Sequence, residues 1–196
     1  MNPFLDPDRQ RNLVLASRSP RRADILRGLG FEFDIAPAPE HLEDGVSHDD
    51  VFAIPELIAG RKCAHVAERM RDALVIAADT VVIVDGEILN KPASDAQARA
   101  FLSKLAGRSH TVVTGVALRC AARGVSAAAS ERTRVTFRDL SDDEIARYVL
   151  TGEGRDKAGS YAAQGVGAGL IRSVEGCFFN VVGLPVARLL DMLREV

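Results

Sequence analysis

The sequence predicts an α/β fold, in one large domain or two small lobes sharing a core, and three observations carry that reading. A strand-length apolar run, a capped helical segment and an alternating run follow one another over 13–35. Two capping boxes, Ser94-x-x-Gln97 and Ser141-x-x-Glu144, open helices farther along. Apolar or alternating runs of strand length lie between them, so strands and helices interleave along the chain. A chain of 196 residues buries roughly 70% of its unfolded surface, enough for a core without disulfides or a structural metal.

Leu13, Val14, Leu15 and Ala16 form the first strand. Ser19 can cap the next helix, Pro20 suits its first position, and Ala23, Ile25, Leu26 and Leu29 recur at helical spacing. Gly30 is its stop. Phe31, Phe33 and Ile35 alternate with Glu32 and Asp34, as in a strand buried on one face. Pro37, Pro39 and Gly45 make 36–50 an exposed loop. A helix is expected over 51–70, where Cys63, Val66, Ala67 and Met70 share a face; Pro55 should kink or restart it. Two buried strands follow at 74–77 and 81–84, joined through Ala78-Asp79-Thr80. Asp85-Gly86 signals a hairpin turn into Ile88 and Leu89. The helix opened by Ser94 should end near Gly107, and 111–118 and 132–137 read as strands. The helix opened by Ser141 stops near Gly152. Gly165, Gly167 and Gly169 punctuate the next stretch, a strand covers 170–174, and Pro185 opens a last helix through Leu193.

Composition excludes several classes. Twenty-five Lys and Arg against 27 Asp and Glu leave a net charge of −2, which does not suit a general nucleic-acid coat. Hydrophobic residues at 47% and charged ones at 27% exclude a largely disordered chain. Cys63, Cys120 and Cys177 form no CxxC pair and no disulfide framework, so a reducing cytoplasm is the expected setting. Residues 1–12 lack the apolar core of an export signal. No run approaches the roughly 18 apolar residues of a membrane span.

Three constellations could carry chemistry. Ser17-Arg18-Ser19-Pro20-Arg21-Arg22 places hydroxyls and guanidiniums where a strand ends and a helix begins, a site suited to phosphate. A solvated basic first turn is the plain alternative, yet cations there oppose the helix dipole. Asp79 falls at the end of a buried strand, where a carboxylate is rare unless paired, metal-bound or catalytic. A turn aspartate bonding its own backbone is the competing account. In 156–165, small residues surround Lys157, Tyr161 and Gln164, and the Gln164 amide could read a base edge through both donor and acceptor. As a bare pattern this also describes a tight loop. The P-loop, the dinucleotide fingerprint and the GxSxG elbow are absent. His41, His48, His65 and His110 lack zinc-ligand spacing.

Taken together, LASRSPRRADILRGLGFEF (15–33), AADTVVIVDGEILNKP (77–92), LAGRSHTVVTGVAL (105–118), DKAGSYAAQGVGAGLI (156–171) and NVVGLPVARLLDML (180–193) resemble the Maf family of nucleoside triphosphate pyrophosphatases. That resemblance implies one domain over 1–196, with a mixed, strongly twisted sheet in two lobes, a central cleft and kinship to inosine triphosphate pyrophosphatases. Homodimers are common in the family. The implied reaction cleaves a nucleoside triphosphate into monophosphate and pyrophosphate, with Mg²⁺ or Mn²⁺ as cofactor.

The resemblance also implies site residues. Asp79 falls at the family's proton acceptor, with Lys62 and Lys91 beside it as catalytic cations. Ser17 and Arg22 match substrate-binding positions, and Arg21, Thr80 and Gln164 match positions tied to base choice. Glu43 is the candidate loop carboxylate for the metal, although Glu40 or Asp44 could take its place, because HLEDG departs from the family pattern. Asp79 could accept a proton or bind the metal, and both roles stay open. Tyr161 and Gln164 resemble the branch acting on dTTP and UTP. The alternatives are hydrolysis of 7-methyl-GTP, or a non-hydrolysing nucleotide-binding regulator of septum formation.

Overall fold

A computed structural model describes residues 2–196. Seven strands form a mixed sheet, and its order and the chain's division into two compact units place the site residues.

The first unit comprises residues up to Asp79, Thr114–Glu131 and Gly183–Val196. It opens with strand β1 (Leu13–Leu15), helix α1 (Pro20–Gly28), strand β2 (Phe33–Ile35), helix α2 (Ile54–Arg69) and most of strand β3 (Leu74–Val84). β1 pairs in parallel with both β2 and β3, with Leu13 opposite Phe33 and Leu74. The pleat sorts the side chains onto two faces. Leu13, Leu15, Leu74, Ile76 and Ala78 pack with Ala23 and Leu26 of α1, and with Leu189 and Leu193 of a C-terminal helix. Val14, Ala16, Val75 and Ala77 pack against Ala59, Cys63, Val66 and Ala67 of α2. Each face is a hydrophobic layer, worth roughly 1.5–3 kcal/mol per fully buried Leu, Ile or Val.

Four sequence expectations are corrected here. The strands expected at 74–77 and 81–84 are one strand of 11 residues, so Asp79 lies inside β3 and not at its end. The carboxylate does not interrupt the ladder, because its charge is met by side chains on the face it shares with Val75 and Ala77. Pro55 neither kinks nor restarts a helix begun at 51; α2 starts at Ile54 with Pro55 in its first turn, where a missing N–H costs nothing. Ser19 occupies the N-cap position of α1 without a side-chain cap bond. β2 is an edge strand, so Ile35 is 48% exposed although Phe31 just before the strand is buried.

The second unit comprises Thr80–Val113 and Arg132–Val182. Asp85 and Gly86, both at positive φ, turn β3 into antiparallel strand β4 (Glu87–Leu89). Of the two expected capping boxes, the one at Ser141 forms in full, whereas at Ser94 only the serine half forms and the Gln97 side chain accepts from the backbone of Ala93 instead. Ser94 accepts from the backbone of Gln97 ahead of helix α3 (Asp95–Leu105). Ser141 and Glu144 cap helix α4 (Asp142–Leu150) reciprocally. Strands β5 (Ser109–Cys120) and β6 (Val125–Phe137) continue through both units and exceed their expected spans. β6 pairs antiparallel with β7 (Ile171–Glu175), which follows a 3₁₀ segment at Gly165–Leu170. Two further helices close the chain, α5 (Phe178–Val182) in the second unit and α6 (Val186–Glu195) in the first. Strand order is β2-β1-β3-β5-β6-β7, with β4 on β3.

The core of the second unit gathers Leu102, Leu105, Val135, Phe137, Tyr148 and Tyr161. His110 is buried there, with Nε2 2.8 Å from the Tyr161 hydroxyl and its ring edge-on to Phe137. Burial pushes its imidazole down to about 4, so it is neutral at pH 7. Tyr161 is therefore a core residue whose hydroxyl is already engaged. Among the described residues no helix is long and apolar enough to cross a membrane.

Candidate active site

Two periodicities meet at one point. Asp79 shares the parity of Val75 and Ala77 on β3, and those residues pack against α2. On α2, Lys62 follows Ile58 and Ala59 and precedes Val66 at helical spacing, so it lies on the buried face of the helix. The Lys62 Nζ consequently lies 2.7 Å from Asp79 Oδ1. A second carboxylate oxygen, Glu43 Oε1, lies 2.6 Å from the same nitrogen. Glu43 ends a short 3₁₀ turn, Glu40–Glu43, in the loop that the prolines predict. Side-chain exposures of 9% for Lys62, 12% for Asp79 and 35% for Glu43 make this a mostly desolvated cluster.

The glycine at 115 allows β5 and α2 to approach. A Cβ there would lie 2.3 Å from the backbone nitrogen of Glu56. Any side chain would push the first turn of α2 away from the sheet and shift Lys62 with it.

Beside this cluster stands Arg22, in the first turn of α1. Its Nε donates to the Gly183 carbonyl at 2.7 Å and its Nη1 to Ser17 Oγ at 3.0 Å. Ser17 Oγ also accepts from the backbone of Ser19 at 3.2 Å. Both acceptor positions of that hydroxyl are thereby used, and its proton remains for an anion. Arg21 is the half-buried neighbour whose charge acts on Arg22. Burial lowers the Arg22 pKa from its ordinary value, and the Asp79 carboxylate is the first of the charges opposing that.

Asp79 is a perturbed carboxyl. Burial pushes it above the usual carboxylate range. The Lys62 ammonium pulls it back by charge and hydrogen bond, Arg22 adds to that pull, and Glu43 works against both. A carboxylate held between desolvation and two cations is suited to taking a proton from a reactant.

The structure thus brings together Ser17, Arg22, Glu43, Lys62 and Asp79, all within the first unit. Of the three loop carboxylates weighed from the sequence, Glu43 reaches Lys62, whereas Glu40 pairs with Arg18 at 2.9 Å and Asp44 is exposed. Thr80 follows Asp79 in β3, and the pleat turns it to the other face. Lys91 is exposed just after β4, and Gln164 is exposed at the start of the Gly165–Leu170 turn. Both belong to the second unit. Sequence reasoning missed the Gly183 carbonyl that orients Arg22, because a backbone acceptor leaves no residue-type signal.

A divalent cation bound along with substrate phosphate is compatible with the donor set. Two carboxylate oxygens already converge on one cation, the Lys62 ammonium. Among the described residues no group of three or more His, Cys, Asp or Glu could hold a metal by itself. Mg²⁺ habitually takes one or two carboxylates and completes its shell with phosphate oxygens and water.

A family model described as "Maf-like protein" matches residues 12–196. The "dTTP/UTP pyrophosphatase" of Pelotomaculum thermopropionicum is 49% identical over 187 residues, covering 94% of this chain and 96% of the relative. The protein of the same description from Symbiobacterium thermophilum is 48% identical over 184 residues, covering 93% of each chain. Among solved structures, the Ham1 protein of Staphylococcus aureus aligns with a TM-score of 0.48 at 17% identity, over 81% of this chain and 79% of that one.

Proposed function

The chain belongs to the Maf family, and from that premise we propose that it hydrolyses dTTP and UTP between the α- and β-phosphates, releasing the nucleoside monophosphate and pyrophosphate. The observation that carries the reading is the desolvated cluster in which Lys62 bridges Asp79 and Glu43. Close relatives described as dTTP/UTP pyrophosphatases support the substrate class. Three free thiols suit a cytoplasmic setting, where nucleotide pools lie.

Hydrolysing a phosphoanhydride is mainly a matter of position and charge. Arg21, Arg22 and Lys91 would neutralise the triphosphate, and Ser17 would donate its remaining proton to a phosphate oxygen. Lys62 holds Asp79 through Oδ1, so Oδ2 would take the proton of the attacking water as its oxygen bonds to phosphorus. The α–β bridge bond breaks, and pyrophosphate departs with the bridging oxygen or leaves it on the monophosphate, according to which phosphorus is attacked. Glu43 would hold a divalent cation, and Asp79 would join it in the alternative role in which it binds the metal instead of taking the proton. When bound, such an ion neutralises phosphate charge and makes water more acidic.

Gln164 would select the base, its amide pairing with O4 and N3–H of uracil or thymine. Gln164→Glu then sets a carboxylate against O4 with no hydrogen to share. A mismatch of this kind costs about 1–3 kcal/mol, so kcat/KM for dTTP and UTP should fall roughly 10- to 100-fold. Turnover of 7-methyl-GTP should fall less, or rise, because the phosphate contacts are untouched. Measuring kcat/KM for the three nucleotides on both proteins checks this. An equal loss on all three removes base selection from Gln164, and faster wild-type turnover of 7-methyl-GTP than of UTP or dTTP reassigns the substrate.

A further inference from the structure

The turn that carries Gln164 is anchored by a carboxylate outside the catalytic cluster. Glu153 accepts backbone N–H bonds from Val166 at 3.0 Å through Oε1 and from Gly167 at 2.7 Å through Oε2. The Tyr148 hydroxyl donates to Oε2 at 3.0 Å and itself accepts from the backbone of Ala162 at 3.1 Å. Three backbone N–H groups, two residues before Gln164 and two and three after it, thus lead to one carboxylate. Burial raises the Tyr148 pKa, which keeps its hydroxyl a donor.

Gly165 and Gly167 leave room for this network. Gly165 sits at φ +70°, and a Cβ there would lie 2.2 Å from Glu153 Oε1. A Cβ on Gly167 would lie 2.3 Å from the Ala162 carbonyl oxygen and 2.7 Å from the Tyr148 hydroxyl. The Gly-x-Gly spacing that resembles no dinucleotide fingerprint therefore admits a carboxylate to the backbone. Gln164 has extended backbone, with φ −115° and ψ 167°, and an exposed side chain. Its backbone runs between anchored residues on either side.

We propose that Glu153, relayed in part through Tyr148, is a positioning residue for base recognition that holds the Gln164 amide in the orientation it needs to read the pyrimidine. This rests on the base-reading role of Gln164 given above. A carboxylate suits the task because it offers two acceptors and no donor, so neither backbone N–H meets another hydrogen. In Glu153→Gln one of those acceptors becomes an NH₂ facing a donor. The turn then loses one anchor while the residues of the catalytic cluster keep their contacts.

A double-mutant cycle on the full chain separates positioning from general structural support. kcat and KM for UTP and dTTP are measured for wild type, Glu153→Gln, Gln164→Ala and the double variant. Glu153→Gln should lower kcat/KM roughly tenfold, chiefly through KM. The same change should cost less than about twofold once Gln164 is Ala, because there is no amide left to aim. An unchanged kcat/KM in the single variant, or an equal loss in both backgrounds, overturns the proposal. If Glu153→Gln does not fold, Tyr148→Phe replaces it in the cycle with the same expected coupling and the same overturning result. Gln164→Ala with undiminished kcat/KM would show that the base-reading role itself fails, taking this inference with it; that outcome appears without touching Glu153.

Discussion

Asp79→Asn will abolish turnover while leaving the protein folded. The amide is nearly isosteric and keeps an oxygen for the Lys62 ammonium, which retains its second partner, Glu43. It can neither take a proton from water nor lend negative charge to a cation. General-base contributions of about 10²–10⁴-fold set the expected loss. Steady-state pyrophosphate release, with far-ultraviolet circular dichroism as the folding control, checks it. A folded variant retaining more than about a tenth of wild-type activity, a barrier change under ~1.4 kcal/mol, removes Asp79 from the catalytic role.

Lys62→Met should be the most damaging change to the cluster, because it affects both stability and rate. Methionine approximates the aliphatic stem but leaves Asp79, mostly buried, without its strongest countercharge. Removing one partner of a buried ion pair typically costs about 3–5 kcal/mol, and protonation of the stranded carboxyl can relieve part of that. The sign for the reaction follows from charge. Loss of a nearby cation disfavours the carboxylate, so the Asp79 pKa rises further above its ordinary value. The acid limb of kcat/KM should therefore move to higher pH, with a rate loss of roughly 10²-fold or more at neutral pH. Denaturant unfolding and a pH–rate profile measure the two effects. An unmoved acid limb with activity within about tenfold of wild type would mean that Lys62 does not tune Asp79.

Much of the fold was legible because its signals are local. The Ser94 cap, the Ser141 capping box, the Asp85-Gly86 turn and the Gly30 stop depend on residues a few positions apart, and each appears at its place in the structure. The continuity of β3 was not legible. An aspartate between two apolar runs reads as a break, and only Lys62, 17 positions earlier, explains why Asp79 can stay inside the strand. The seven residues by which β6 precedes the expected 132–137 were missed for a related reason. They include Ala127, Ala128 and Ala129, whose strand propensity is poor, and pairing within the sheet holds them extended.

The site divides in the same way. Asp79 stood out by its place among apolar residues and Lys62 was named by resemblance, and the parity of β3 with the spacing of α2 gives the physical reason they meet. The choice of Glu43 over Glu40 needed the 3₁₀ turn, whose side-chain directions no spacing rule supplies. Glu153 went unnoticed because its partners are backbone N–H groups. The one local hint was a pair of glycines two residues apart at a position that needs space.

Cleavage of the α–β anhydride of a pyrimidine nucleoside triphosphate at the Asp79–Lys62–Glu43 cluster would show in its products. Phosphorus NMR of UTP and of dTTP, each incubated with the purified full chain and Mg²⁺ or Mn²⁺, tests it most directly. UMP or dTMP should appear together with inorganic pyrophosphate in equal amounts, with no product from Asp79→Asn. Release of nucleoside diphosphate and orthophosphate, unchanged triphosphate with every metal, or equal turnover by Asp79→Asn would contradict it.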